Sequence, residues 1–102
     1  MIRHVFMWKV AKGANPDEIF RILDELPGKV PGIRLWSRGK HKGEPGNSGA
    51  SWDGALITDF DSMEALETYS KHPFHDDVVR RLTPMFADRA VCDFEPAAGE
   101  KK

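Results

Sequence analysis

The amino-acid sequence predicts an α+β sandwich: a mainly antiparallel sheet of four strands, with its helices on one side. Two observations predict it. Strand-period and helix-period apolar patterns alternate in the order strand, helix, strand, strand, split helix, strand, within 102 residues, one domain's worth. The opening pattern, Ile2 to Val10, is apolar on both faces, as a strand is when both sides of its sheet are covered. Helices in this arrangement can cover only one of those sides.

Each element carries its own signal. In the first strand Ile2, Phe6, Trp8 and Val10 share a face with His4, while Val5 and Met7 share the other with Arg3 and Lys9. Asn15 can cap a helix, Pro16 suits its first position and Glu18 completes a capping box. Ile19, Ile22, Leu23 and Leu26 then make one stripe, which Pro27-Gly28 ends near Leu26. The second strand, roughly Ile33 to Lys42, carries Arg34, Arg38, Lys40 and Lys42, as an edge guarded by charge does. Gly43 to Asp53 reads as a mobile hairpin loop, and the glycines of 39–54 as loop glycines without a phosphate-cradling pattern.

Gly54 to Phe60 is the third strand. Asp61 opens the second helix with Glu64 as its capping-box partner, and this helix runs to about Ser70. Pro73 biases His72 toward extended geometry and can begin a new helix, with Asp76 and Asp77 near its positive end and Pro84 in its last turns. Arg89 to Glu95 is the last strand. Residues 1–96 form a single domain and 97–102 a frayed polar tail. This order is that of a ferredoxin-like sandwich. The Val5/Met7 face is most economically covered by a second copy of the chain.

The formal net charge of −1 argues against a generic nucleic-acid binder. No apolar run reaches the length of a membrane span, and Met1-Ile2-Arg3-His4 leads straight into a strand without a signal-peptide layout. The single cysteine, Cys92, excludes an intrachain disulfide framework. A reducing, cytoplasmic setting follows as the simplest expectation.

The candidate chemistry lies at the broken second helix. His75 heads the stripe of Val78, Val79, Leu82 and Phe86, and Tyr69 closes that of Ala65 and Leu66. An imidazole and a phenol aimed at a core need partners or a purpose. His4 shares its face with Phe6 and Trp8, and Asp93 shares one with Val91, opposite Cys92 and Phe94. If the Asp93 face looks toward the helices, Asp93 can bond one nitrogen of His75 and leave the other as a base. The helix N-terminus opposes imidazolium formation and Asp93 favours it, so the ring sits near neutrality. The alternative is a satisfied buried network of these four residues that fixes helix–sheet register.

Other candidates are weaker. His72 and His75 are three apart and His4 or Asp93 can complete a metal set, but the cap position of His72 turns it to solvent, so no metal is assigned. Arg34, Arg38, Lys40, Lys42 and His41 can attract an anionic substrate, or simply form a solvated edge. Trp36 and Trp52 flank the loop as a pocket lid, or as core or dimer contacts. Cys92 reads as a small buried hydrophobe.

The stretches Arg3-His4-Val5-Phe6-Met7-Trp8-Lys9, Phe60-Asp61-Ser62, Leu66-Glu67-Thr68-Tyr69, His72-Pro73-Phe74-His75 and Val91-Cys92-Asp93-Phe94 together resemble the stress-responsive dimeric α/β-barrel (Dabb) domain family. The resemblance spans nearly the whole chain except the 43–53 loop and the tail. It implies a homodimer whose two sheets pack into a barrel. In a plant polyketide cyclase of that family the catalytic tyrosine and histidine fall at Tyr69 and His75. Its first-strand histidine falls at His4, and the aspartate bonded to its catalytic histidine at Asp93.

The resemblance does not itself fix an activity; the chemistry that suits these four residues is proton abstraction next to a carbonyl, without a cofactor, of cyclase or isomerase type on a small apolar carbonyl-containing ligand. His75 is then the base, Asp93 its orienter, Tyr69 the oxyanion donor and His4 a supporting polar group. Phe6, Trp8, Val79 and Leu82 are the expected substrate-binding wall. A non-catalytic stress-related or ligand-binding homodimer, and a cofactor-free monooxygenase, remain as alternatives.

Overall fold

Strand β1, Ile2–Val10, lies inside a four-stranded sheet in a computed structural model that describes residues 1–46 and 49–100. Its neighbours are β3 (Gly54–Phe60) on one side and β4 (Phe86–Phe94) on the other, and β2 (Leu35–Lys40) lies beyond β3 at the edge. All neighbouring pairs are antiparallel. The helices are α1 (Pro16–Leu23), α2 (Met63–Lys71) and α3 (Pro73–Leu82), followed by a 3-10 turn, Thr83–Met85. The chain is therefore the α+β, ferredoxin-like sandwich that its pattern predicts, with the doubly apolar strand at the centre.

Register decides what each face carries. Against β3, Ile2 meets Phe60, His4 meets Thr58, Phe6 meets Leu56 and Trp8 meets Gly54. Against β4, His4 meets Asp93, Phe6 meets Val91 and Trp8 meets Arg89. Paired residues of a sheet point to the same side, so one face collects Trp8, Leu56, Thr58 and Phe60, all buried under the helices. Trp8 packs edge-on against Phe20 of α1 at 5.6 Å, and Phe60 lies 4.9 Å from the ring of Tyr69 on α2. Ile19, Ile22, Leu23 and Leu26 are all buried, each fully buried apolar side chain contributing roughly 1.5–3 kcal/mol. The opposite face bears Val5, Met7, Ile57, Leu35, Cys92 and Phe94. Among the described residues no helix covers it, and Leu35 and Phe94 are 39% and 43% exposed.

Several local expectations are corrected. The second strand is shorter than Ile33 to Lys42, spanning Leu35–Lys40; Arg34 just precedes it, its side chain paired with Asp61 and its backbone N–H donating to Asp59. That ion pair occupies Asp61, and Ser62 caps α2 instead, accepting from the Ala65 N–H at 3.1 Å. Asn15 caps α1 as expected, but Glu18 turns to Arg21 and makes no reciprocal box. The last strand starts at Phe86, a residue on the helical stripe in the sequence. Pro84 has no N–H to extend the α-helix, so the chain tightens into the 3-10 turn and is extended by Phe86.

Gly54 opens β3 as the strand pattern predicts, and neither it nor Gly39 in β2 is a loop glycine. The Trp8 indole lies on Gly54, and a Cβ there would collide with Cζ2 and Cε2 of the ring. Cys92 is exposed on the helix-free face, since β4 is an edge strand and that face has no cover within one chain. Residues 47 and 48 of the expected mobile loop, and 101 and 102 of the expected frayed tail, lie outside the described residues; Glu100 in that tail ion-pairs with Arg3.

Candidate functional site

The break between α2 and α3 builds the site. His72 ends one helix and caps the next: its Nδ1 accepts the Phe74 N–H at 3.0 Å. Pro73 takes the first helical position, where a missing N–H costs nothing. The turn sets Tyr69, from the last turn of α2, beside His75, from the first turn of α3, with ring centroids 4.7 Å apart at 63°. His4 approaches from the sheet, 6.4 Å from the Tyr69 ring.

These side chains share a cavity of about 420 Å³ between sheet and helices. That falls within the range of roughly 300–1,000 Å³ usual for small-molecule sites. Its wall is mostly apolar, including Phe6, Leu56, Leu66, Val79, Leu82 and Phe86, with His4, Tyr69, His75 and Asp93 as polar contributions.

Asp93 corrects a pairing expected from the sequence. It is hydrogen-bonded to Nδ1 of His4 and not to His75. The cause is register: His4 and Asp93 are partners across β1 and β4, with side chains on the same face. Nδ1 of His75 is buried and has no hydrogen-bond partner among the described residues. Burial lowers the His75 pKa, Asp76 opposing and His4 reinforcing the effect, so the ring is neutral near pH 7. Burial pushes the Tyr69 phenol well above its ordinary range, which keeps it a proton donor. A neutral imidazole beside a protonated phenol can accept a proton and donate a hydrogen bond in one event.

The other expected residues divide. Phe6, Val79 and Leu82 line the cavity, but Trp8 does not. It is only 1% exposed and sealed among Phe6, Phe20 and Phe86, because its side chain covers Gly54. Trp36 and Trp52 form no lid. The Trp36 indole donates to Asp24 at 3.0 Å, and Lys9 sits over the Trp52 ring. Three of the basic candidates hold carboxylates of other segments, Arg34 on Asp61, Arg38 on Asp24 and Lys40 on Asp17. Arg38 holds the Asp24 carboxyl below the usual carboxylate range, and Arg34 does the same to Asp61. Among the described residues no three His, Cys, Asp or Glu side chains are placed to hold a metal ion. Arg89 lines the cavity without having been singled out; strand alternation from Asp93 through Val91 would have found it.

The family model of the stress responsive A/B barrel domain matches residues 2–96. The chain belongs to this family. The Dabb chain is also similar to solved structures. One is a dimeric ferredoxin-like protein of unknown function from Thermobifida fusca, at 26% identity and TM-score 0.76, covering 91% of this chain and 88% of that one. Another is At3g17210 from Arabidopsis thaliana, at 19% identity and TM-score 0.86, covering 99% and 100%. A third is the hydroxynitrile lyase of Passiflora edulis, at 16% identity and TM-score 0.84, covering 98% and 96%. No curated protein sequence matches. Likeness at these last two identities shows the fold alone, and one fold hosts many chemistries. Among the described residues of this Dabb domain no helix is long and apolar enough to cross a membrane.

Proposed function

We propose that this Dabb domain is a cofactor-independent acid–base enzyme, of cyclase or isomerase type, acting on a small carbonyl-containing molecule. His75 removes a proton next to the carbonyl, and Tyr69 donates a hydrogen bond to the enolate oxygen that develops. The electron pair of the broken C–H bond moves into the enolate. It then attacks a second carbonyl of the same molecule, or is reprotonated at another carbon. The His4–Asp93 pair is a fixed polar group on the opposite wall.

One observation carries this reading over the alternative of a satisfied structural network. Among the described residues Nδ1 of His75, Oγ1 of Thr58 and Nε of Arg81 are buried without a hydrogen-bond partner, and of these three residues His75 alone lines the open, mostly apolar cavity. Buried polar atoms in purely structural networks are paired, and each orphan costs about 1–3 kcal/mol. We further propose that the working form is a homodimer, with the helix-free face of one sheet against that of a second copy. Val5, Met7, Ile57, Leu35 and Phe94 give that face its apolar surface. A lone cysteine on that face suits a reducing, cytoplasmic setting.

Proton abstraction can be read directly. In D2O the protein should speed exchange of the methyl protons of acetophenone over buffer, followed by loss of their NMR signal. His75→Ala should keep the near-UV circular dichroism spectrum and lose the acceleration. Equal exchange in the two proteins would end the acid–base reading.

A further inference from the structure

Seven arginines are present in the chain, and six of them hold carboxylates: Arg3 with Asp59, Arg21 with Glu18, Arg34 with Asp61, Arg38 with Asp24, Arg80 with Asp77 and Arg81 with Glu25. The Arg89 guanidinium has no carboxylate partner among the described residues, its backbone N–H alone donating to Asp88, and it is the one arginine in the cavity wall. Its position is set by the strand. Arg89, Val91 and Asp93 share the helix-side face of β4, so the guanidinium is rooted about 13 Å along the strand from the polar end of the cavity. Between them Phe6, Phe86, Val91 and Leu82 make the wall apolar. Of the two carboxylates in that wall, Asp93 is engaged by His4, and Glu67 on α2 does not pair with Arg89.

We propose that Arg89 is the anion subsite of this cavity, and that the substrate is an elongated, largely apolar keto acid. Its carbonyl lies at Tyr69 and His75, and its carboxylate lies at Arg89. A planar guanidinium presents parallel donors that match a carboxylate, and no lysine in the wall adds the second cation that a phosphate dianion would require. The apolar stretch between the ends selects a chain or ring without hydroxyls, since polar atoms there would lose water without gaining partners. The placement of the carbonyl rests on the acid–base reading above; the charge selection does not.

The test uses the full-length protein with 5-oxo-5-phenylpentanoate and its methyl ester, titrated by NMR or calorimetry. Wild type should bind the acid roughly ten-fold more tightly than the ester, the discrimination expected of a charge-assisted hydrogen bond. Arg89→Gln should bring the ratio near one while leaving the affinity for the ester unchanged. Arg89 is an exposed strand residue, so the variant should keep its melting temperature. His75→Ala should retain the preference for the acid while losing α-proton exchange, which separates this proposal from the catalytic one. A preference without exchange in wild type would leave the anion subsite standing and remove the chemistry. Equal binding of acid and ester, a preference that survives Arg89→Gln, or no binding of either compound would overturn the subsite.

Discussion

His4 and Asp93 are hydrogen-bonded to each other because they are register partners on β1 and β4. The bond follows from strand pairing alone. It ties the central strand to the edge strand at the polar end of the cavity. Asp93→Ala should therefore loosen that end without unfolding the domain. A partly exposed pair contributes at most about 1 kcal/mol, so the melting temperature should shift little. Turnover should drop, and the His4 ring resonances should shift in an NMR titration; unchanged His4 resonances would contradict the pairing in solution.

His75 predicts a pH dependence of known sign. Burial sets its folded pKa below the ordinary 6.5. Between those two values the unfolded chain binds the proton and the folded chain does not, so stability rises with pH across that window. It is lost as the pH falls below about 6.5 and levels off once the folded ring also protonates. Melting temperatures from pH 5 to 8 should show this slope in wild type and a flatter one in His75→Asn. Identical slopes would mean that the ring is not held neutral by burial.

Tyr69→Phe removes the phenol oxygen and keeps the ring that packs on Phe60 and His75. Fold stability should change by less than about 1.5 kcal/mol, as for a near-isosteric exchange. If the hydroxyl donates to a developing oxyanion, kcat should fall by about 10²-fold with KM much less affected. A change confined to KM would assign the phenol to ground-state binding.

Gly54→Ala places a methyl group against the Trp8 indole, itself buried in the core. Overpacking of this kind costs about 1–3 kcal/mol. Urea denaturation should show a lower midpoint with an unchanged slope. An unaltered midpoint would mean that Trp8 has room to move aside.

Phe94 sits on the helix-free face and is 43% exposed within one chain. If that face joins two copies, sedimentation should give a dimer at micromolar concentration, and Phe94→Asp should shift it toward monomer. A wild-type monomer under those conditions would contradict the homodimer.

Much of this molecule was legible along the chain. The doubly apolar Ile2–Val10 segment announced a central strand, and Pro73 after His72 announced the helix break that sets Tyr69 beside His75. Local pattern suffices there, because alternation and proline geometry act within a few residues. Caps were less legible: Asp61 and Ser62 are both good capping residues, and the choice fell to Arg34, 27 residues away, which claims Asp61. Gly54 was legible as the start of the third strand, but nothing nearby in sequence reveals the indole that rests on it.

By itself the sequence determined the element order, the apolar stripes and the residue types available to a site, since these depend on short-range periodicity. Only the tertiary structure decided which partners those residues took. Strand register gave Asp93 to His4 and left Nδ1 of His75 without a partner among the described residues. It also put Trp8 into the core and turned Arg89 into the cavity wall. Pairing across a sheet is set by contacts between distant segments, where a slip of one residue exchanges the two faces, and no local pattern encodes that choice.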